Sequence, residues 1–115
     1  MAITIYGIKA CDTMKKARTW LEEHDVAYEF HDYKATGIDG KHLQRWSKIV
    51  GWEVLLNRAG TTFRKLGDAD KQNLNESKAI KLMLAQPSMI KRPVLDLGVG
   101  KLAVGFKPEQ YAQLF

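Results

Sequence analysis

Cys11 is the only cysteine in the chain, and it sits where a strand hands over to a helix. Ala2-Ile3-Thr4-Ile5-Tyr6 reads as a short strand, Gly7-Ile8-Lys9-Ala10 as a turn, and Cys11 to Leu21 as an amphipathic helix. A thiol at a helix N-terminus faces unpaired backbone N–H groups and the positive end of the helix dipole. Both favour ionised sulfur, the nucleophilic form. Free cysteine is often buried as a small hydrophobe instead. Its place after a turn, beside the equally small Ala10, favours the reactive role, because the backbone there can approach a ligand closely. Three residues on, where a redox pair would carry its second cysteine, the chain has Met14. Any exchange cycle at Cys11 must therefore take its second thiol from another molecule.

The elements around Cys11 follow from periodicity. Val26 to Tyr33 alternates apolar and polar, with Tyr28 and Phe30 on one side, and reads as a second strand. Two strands separated by one helix make a βαβ unit, so they should be parallel. Thr36 to Gly40 is a loop in which Asp39 caps a helix to about Val50, with Leu43, Trp46 and Val50 as its buried stripe and Gly51 as its stop. Trp52 to Leu56 suggests a short helical segment, and Asn57 to Thr62 a turn-rich loop. Another helix runs from near Asn75 to about Gln86, with Ile80, Leu82, Met83 and Leu84 as its apolar content, and Pro87 ends it. Val94 to Leu97 and Lys101 to Phe106 are strands joined through Gly98-Val99-Gly100, and Pro108 opens a closing helix through Tyr111 and Leu114. A βαβ half followed by a ββα half is the layout of an α/β, thioredoxin-like domain with a four-stranded mixed sheet. The expectation is one domain over residues 1–115 with a helical insertion at about 35–88. Pro93 enters the third strand, where proline is tolerated; in that fold its peptide would be cis, an isomer the sequence alone does not fix.

In this layout the segment before Pro93 lies against the start of the first helix. Arg92 is then the leading cation to face the sulfur or an anionic substrate, since its fork of donors suits carboxylates and oxyanions. Lys9, two residues from Cys11, is a second cation. Asn57 and Arg58 precede Gly60-Thr61-Thr62-Phe63-Arg64, a loop whose hydroxyls, glycine and arginines could wrap an anion or simply cap helices in solvent. Lys107, before Pro108, is a third cation at the cleft edge. His24, His31 and His42 show no nucleophile–base or zinc-ligand spacing and are given no catalytic role. Trp20, Trp46 and Trp52 read as core or helix-packing residues rather than a ligand cage.

The totals narrow the classes further. A length of 115 residues allows one core, and the 45% hydrophobic and 27% charged fractions are those of a globular protein. No stretch approaches the roughly 20 apolar residues of a membrane span. The N-terminus lacks signal-peptide character, so a cytoplasmic location is expected. Net charge is +5, but Lys and Arg are scattered without a block, which argues against direct nucleic-acid binding.

Three segments, Tyr6 to Thr13, Asn57 to Leu66 and Met89 to Val94, resemble the arsenate reductase (ArsC)/Spx family, most closely its YffB-like branch, and the likeness runs through essentially the whole chain. The resemblance implies a thioredoxin-like fold with an inserted helical region. By position, Cys11 matches the family's nucleophile and Arg92 the arginine before the strand-entering proline. The arginines that arsenate reductases use in the middle loop and near the last strand fall here at Asn57 or Arg58 and at Lys107. Asn or Lys loses the bidentate geometry of a guanidinium, which disfavours arsenate reduction. Spx regulators commonly carry a CxxC switch, whose second cysteine is Met14 here. The expected activity is glutathione-dependent thiol–disulfide exchange, with Cys11 and Arg92 catalytic and Lys9, Asn57, Arg58, Pro93 and Lys107 lining the substrate site. Glutathione serves as co-substrate, with no tightly bound cofactor or metal, and glutathione or a glutaredoxin supplies the second thiol. The alternatives are a Spx-like protein docking on RNA polymerase without redox turnover, and a glutathione- or glutaredoxin-dependent arsenate reductase.

Overall fold

A computed structural model of the chain describes residues 3–9, 11–98 and 100–115. Thr4–Gly7 (β1), Glu29–Asp32 (β2), Val94–Asp96 (β3) and Leu102–Val104 (β4) form one mixed sheet in the order β2-β1-β3-β4. β1 and β2 run parallel, as a βαβ unit requires, with Tyr6 opposite His31. β1 and β3 are antiparallel with Tyr6 opposite Val94, and β3 and β4 are antiparallel with Val94 opposite Val104. The second strand begins later than its alternating pattern suggests. Val26 to Tyr28 approach the sheet outside the ladder, and Tyr33 opens a one-turn helix, Tyr33–Thr36 (α2), which has no apolar period to announce it. Ala2, Ala10 and Val99 belong to expected elements but lie outside the described residues.

Two compact units are present, one of residues up to Thr36 together with Arg92–Phe115, the other of Gly37–Lys91. In the first, helix Asp12–Glu23 (α1) buries Met14, Ala17 and Leu21, at i, i+3 and i+7. These meet Ile5, Leu95, Ala103 and Tyr111, the last from the closing helix; Tyr28 and Phe30 pack on the same cluster. Met14 is 1% exposed, and a Cβ added at Gly7 would collide with its sulfur. The Met14 side chain thus fills the space over the end of β1. Gly7→Val should cost about 1–3 kcal/mol through this overpacking, read as a lower urea midpoint. At the β3–β4 turn, Gly98 and Gly100 take φ of +78° and +76°, and the Asp96 carboxylate accepts the Gly98 N–H at 2.9 Å.

The second unit is helical: Gly40–Val50 (α3), Trp52–Leu55 (α4), Thr61–Arg64 (α5), Asp68–Lys71 (α6), Glu76–Ala85 (α7) and a 3₁₀ turn at Pro87–Met89. Asp39 and Asn75 are the N-caps of α3 and α7, accepting the N–H groups of His42 and Lys78. The backbone N–H of His42 and its ring, 2.6 Å away, hold the Asp39 carboxyl below its ordinary value. Leu43 and Trp46 are fully buried, whereas Val50 is half-buried; Gly51, at φ +91°, ends α3. On α7 the buried residues are Ala79, Ile80 and Met83, while Leu84 faces out with 39% exposure, one position off the inward stripe. The chain closes to Pro108–Leu114 (α8), with Pro108 in its first turn.

Candidate functional site

Cys11 is the N-cap of α1, in extended conformation (φ −132°, ψ 127°). Its carbonyl accepts the Lys15 N–H at 3.0 Å, so the helix begins directly after it. An N-cap side chain ordinarily supplies an oxygen to the first-turn N–H groups. Here a half-buried sulfur occupies that place, and it makes no capping hydrogen bond. The first-turn donors are left to the sulfur or to an anion held beside it. Asp12, in the same turn, stabilises the helix but opposes a negative sulfur.

Sheet register brings the other residues of this unit to the same end. The C-terminal end of β1 leads to Cys11. Val94 pairs with Tyr6 in the opposite direction, so the segment entering β3, Arg92-Pro93, lies at that end too. The exit of β4 toward Lys107 also lies there, because Val104 pairs with Val94 and the Gly105 N–H donates to the Pro93 carbonyl at 2.9 Å. The Arg92–Pro93 peptide is cis; Pro93 is buried and Arg92 half-buried. Lys107 is exposed as the N-cap of α8, and Lys9 is exposed.

One group at this end is absent from the sequence-derived set. Tyr33 follows β2, is 3% exposed, and has a phenol oxygen with no hydrogen-bond partner among the described residues. Its ring stacks 6.4 Å from Tyr6, which in turn lies 4.9 Å from His31. Burial raises the Tyr33 phenol, Tyr6 adds to the rise, and the Arg92 guanidinium pulls the other way. Arg92 is thus electrostatically in reach of Tyr33. Ile5 faces the α1 core, so Tyr6, its neighbour along the strand, faces the opposite side of the sheet. The signal in sequence was the run of ring residues Tyr28, Phe30, His31 and Tyr33, whose meaning depends on the register against Tyr6.

Asn57 and Arg58 belong to the helical unit. The Asn57 N–H donates to the Met89 carbonyl at 2.8 Å, beside the bridge between Leu56 and Ile90. The Arg58 guanidinium lies 5.8 Å from the Trp52 ring centroid, so Trp52, read as a packing residue, holds a cation. The loop backbone is organised by Arg64, whose Nε and Nη2 both donate to the Ala59 carbonyl, at 3.0 and 2.9 Å. A Cβ at Gly60 would lie 2.9 Å from the Asn57 side-chain amide nitrogen, so a larger residue there would displace that amide.

A family model described as the ArsC family matches residues 6–114. An uncharacterised protein of Haemophilus influenzae is 40% identical over 113 residues, covering 98% of each chain. The global transcriptional regulator Spx of Streptococcus agalactiae is 27% identical over 110 residues, 94% of this chain and 79% of the relative. Among solved structures, a protein named YFFB superposes with a TM-score of 0.94 at 70% identity over 97% of each chain. An arsenate reductase (ArsC) related protein from Brucella melitensis gives 0.78 at 62% identity, covering 98% of this chain and 93% of its own. Among the described residues, no helix is long and apolar enough to cross a membrane.

Proposed function

Because the chain belongs to the ArsC family, we propose that it is a thiol–disulfide oxidoreductase that works with one cysteine and takes its second thiol from glutathione. The observation that carries this reading is Cys11 itself: the only sulfur nucleophile, set as an uncapped N-cap at the sheet end that also receives Arg92. In the reaction, the Cys11 thiolate attacks the glutathione sulfur of a mixed disulfide. The S–S bond breaks, the substrate leaves as a thiolate that takes a proton, and Cys11 is left joined to glutathione. A second glutathione thiolate attacks the bound glutathione sulfur, releasing oxidised glutathione and restoring the Cys11 thiolate. In sum, the mixed disulfide and one glutathione thiol give the substrate thiol and oxidised glutathione, one S–S bond being exchanged for another. Met14 cannot enter this cycle, because it is a thioether and is buried against Gly7. A glutaredoxin thiol could replace the second glutathione.

Arg92 pairs with a glutathione carboxylate or with the developing thiolate, and Lys107 and Lys9 add positive field at the same end. Pro93 lines the remainder of the substrate site within this unit. Arg92→Ala should lower kcat/KM about 10- to 100-fold, the size of a lost charge-assisted hydrogen bond, and Arg92→Lys should recover part of that loss. The activity is tested by coupled turnover of a small glutathione mixed disulfide: ping-pong kinetics are expected, and a rate no greater than that of glutathione alone would contradict it.

The likeness to Spx along 94% of the chain favours a second reading, a regulator that docks on RNA polymerase without redox turnover. Retention of RNA polymerase by immobilised wild-type and Cys11→Ser protein alike, with no turnover by either, would select it.

A further inference from the structure

A shallow cleft of about 480 Å³ begins one helical turn from Cys11. It is lined by Lys15, Lys16, Thr19 and Trp20 of α1, by Phe106 between β4 and α8, and by Pro108 at the start of α8. Its size is in the range of small-ligand pockets. Lys15 follows Cys11 by one turn, about 6 Å along the axis, and helical side chains lean toward the N-terminus, the end at which Cys11 stands. Cys11, Trp20 and Phe106 all pack against the same core cluster.

The two aromatic walls are held in advance. Trp20 meets the fully buried Tyr111 edge-on, with centroids 5.5 Å apart, and Phe106 meets the same ring edge-on at 4.8 Å. His24 stacks on Trp20 at 3.8 Å. A ligand between the walls therefore orders little that is not already ordered. Lys15 and Lys16 are exposed and form no ion pair among the described residues. Glu23 stands at the far end of the cleft, two turns beyond Lys15, and disfavours a second anion there.

We propose that this cleft is the subsite for the leaving half of the disulfide, and that it selects a thiol with an apolar body and a single carboxylate. The body lies between Trp20 and Phe106, and Lys15 or Lys16 pairs the carboxylate. This rests on the reading of Cys11 as the nucleophile. The Cys11 thiolate attacks the glutathione sulfur, and the apolar thiolate departs from the cleft, takes a proton and is replaced only when a new mixed disulfide binds.

The test uses two mixed disulfides of glutathione, one with 4-(mercaptomethyl)benzoate and one with 2-mercaptoethanol, turned over by the intact chain with glutathione as reductant. The benzoate substrate should have the larger kcat/KM, by about tenfold or more. A Lys15→Glu/Lys16→Glu variant, altered only at exposed helix positions, should bring the ratio close to one, and Phe106→Ala should lower it. Equal use of both substrates by the wild type, or a ratio unmoved by the lysine reversals, would overturn the subsite while leaving Cys11 as the nucleophile. Turnover of neither substrate would overturn the Cys11 reading and the subsite's role with it.

Discussion

Cys11→Ser is expected to reduce glutathione-dependent disulfide turnover to the background rate, a loss of at least about a thousandfold in kcat/KM. A serine hydroxyl does not ionise near neutral pH and its oxygen does not form the mixed disulfide, so both halves of the cycle disappear together. No other residue can substitute, since the chain has no second cysteine and Met14 is buried. Stability should move the other way. Serine is a preferred N-cap, and its oxygen can accept one of the first-turn N–H groups that the Cys11 side chain leaves unbonded. The variant should therefore be as stable as the wild type or more so, by up to about 1 kcal/mol. Measuring turnover and urea unfolding on the same preparation separates the outcomes. Lost activity with retained stability identifies a chemical role; lost activity with unfolding would point to a packing role instead.

The second large effect is alkaline destabilisation. Tyr33 and Tyr111 are buried, and neither phenol oxygen has a hydrogen-bond partner among the described residues. Burial raises both phenols above the ordinary 10.0, with Tyr6 adding to the rise at Tyr33 and Arg92 opposing it. Below that ordinary value both residues are neutral in the folded and unfolded chains, so they add no pH dependence. Above it the unfolded chain loses these protons while the folded chain keeps them. Stability then falls as pH rises, by about 1.4 kcal/mol per pH unit for each tyrosine. The two together remove roughly 2.7 kcal/mol per unit, against a typical domain stability of about 5–15 kcal/mol. Tyr33→Phe and Tyr111→Phe should each remove about half of this slope. Neither should cost much at neutral pH, because neither breaks a hydrogen bond. Urea midpoints between pH 9 and 12 measure the slope, and the phenylalanine variants isolate it from lysine titration. An unchanged slope in the double variant would contradict the account.

What the sequence made legible was local. Asp39 and Asn75 cap their helices and Pro108 opens the last one because each acts within a single turn of its own chain. Cys11 at a helix start, and Met14 in place of a second cysteine, are equally short-range facts. Less local features were harder to read. The one-turn helices at Tyr33, Thr61 and Asp68 are too short to show a period. Tyr33 beside Tyr6 and within the field of Arg92 depends on the parallel register of β1 and β2 and on a segment far along the chain. Trp20 had read as packing, and it does pack on Tyr111, but the same ring forms one wall of the cleft. Leu84 shows the limit of apolar counting, since the helix turns it outward although its neighbours Ile80 and Met83 are buried.

The central claim, a single nucleophilic sulfur resolved by an outside thiol, is tested most directly by the intact mass of the protein after incubation with oxidised glutathione. The account predicts one bound glutathione on the wild type, mapped to Cys11, removed by reduced glutathione and absent from Cys11→Ser. A wild-type mass that stays unmodified, or an adduct that reduced glutathione leaves in place, would contradict it.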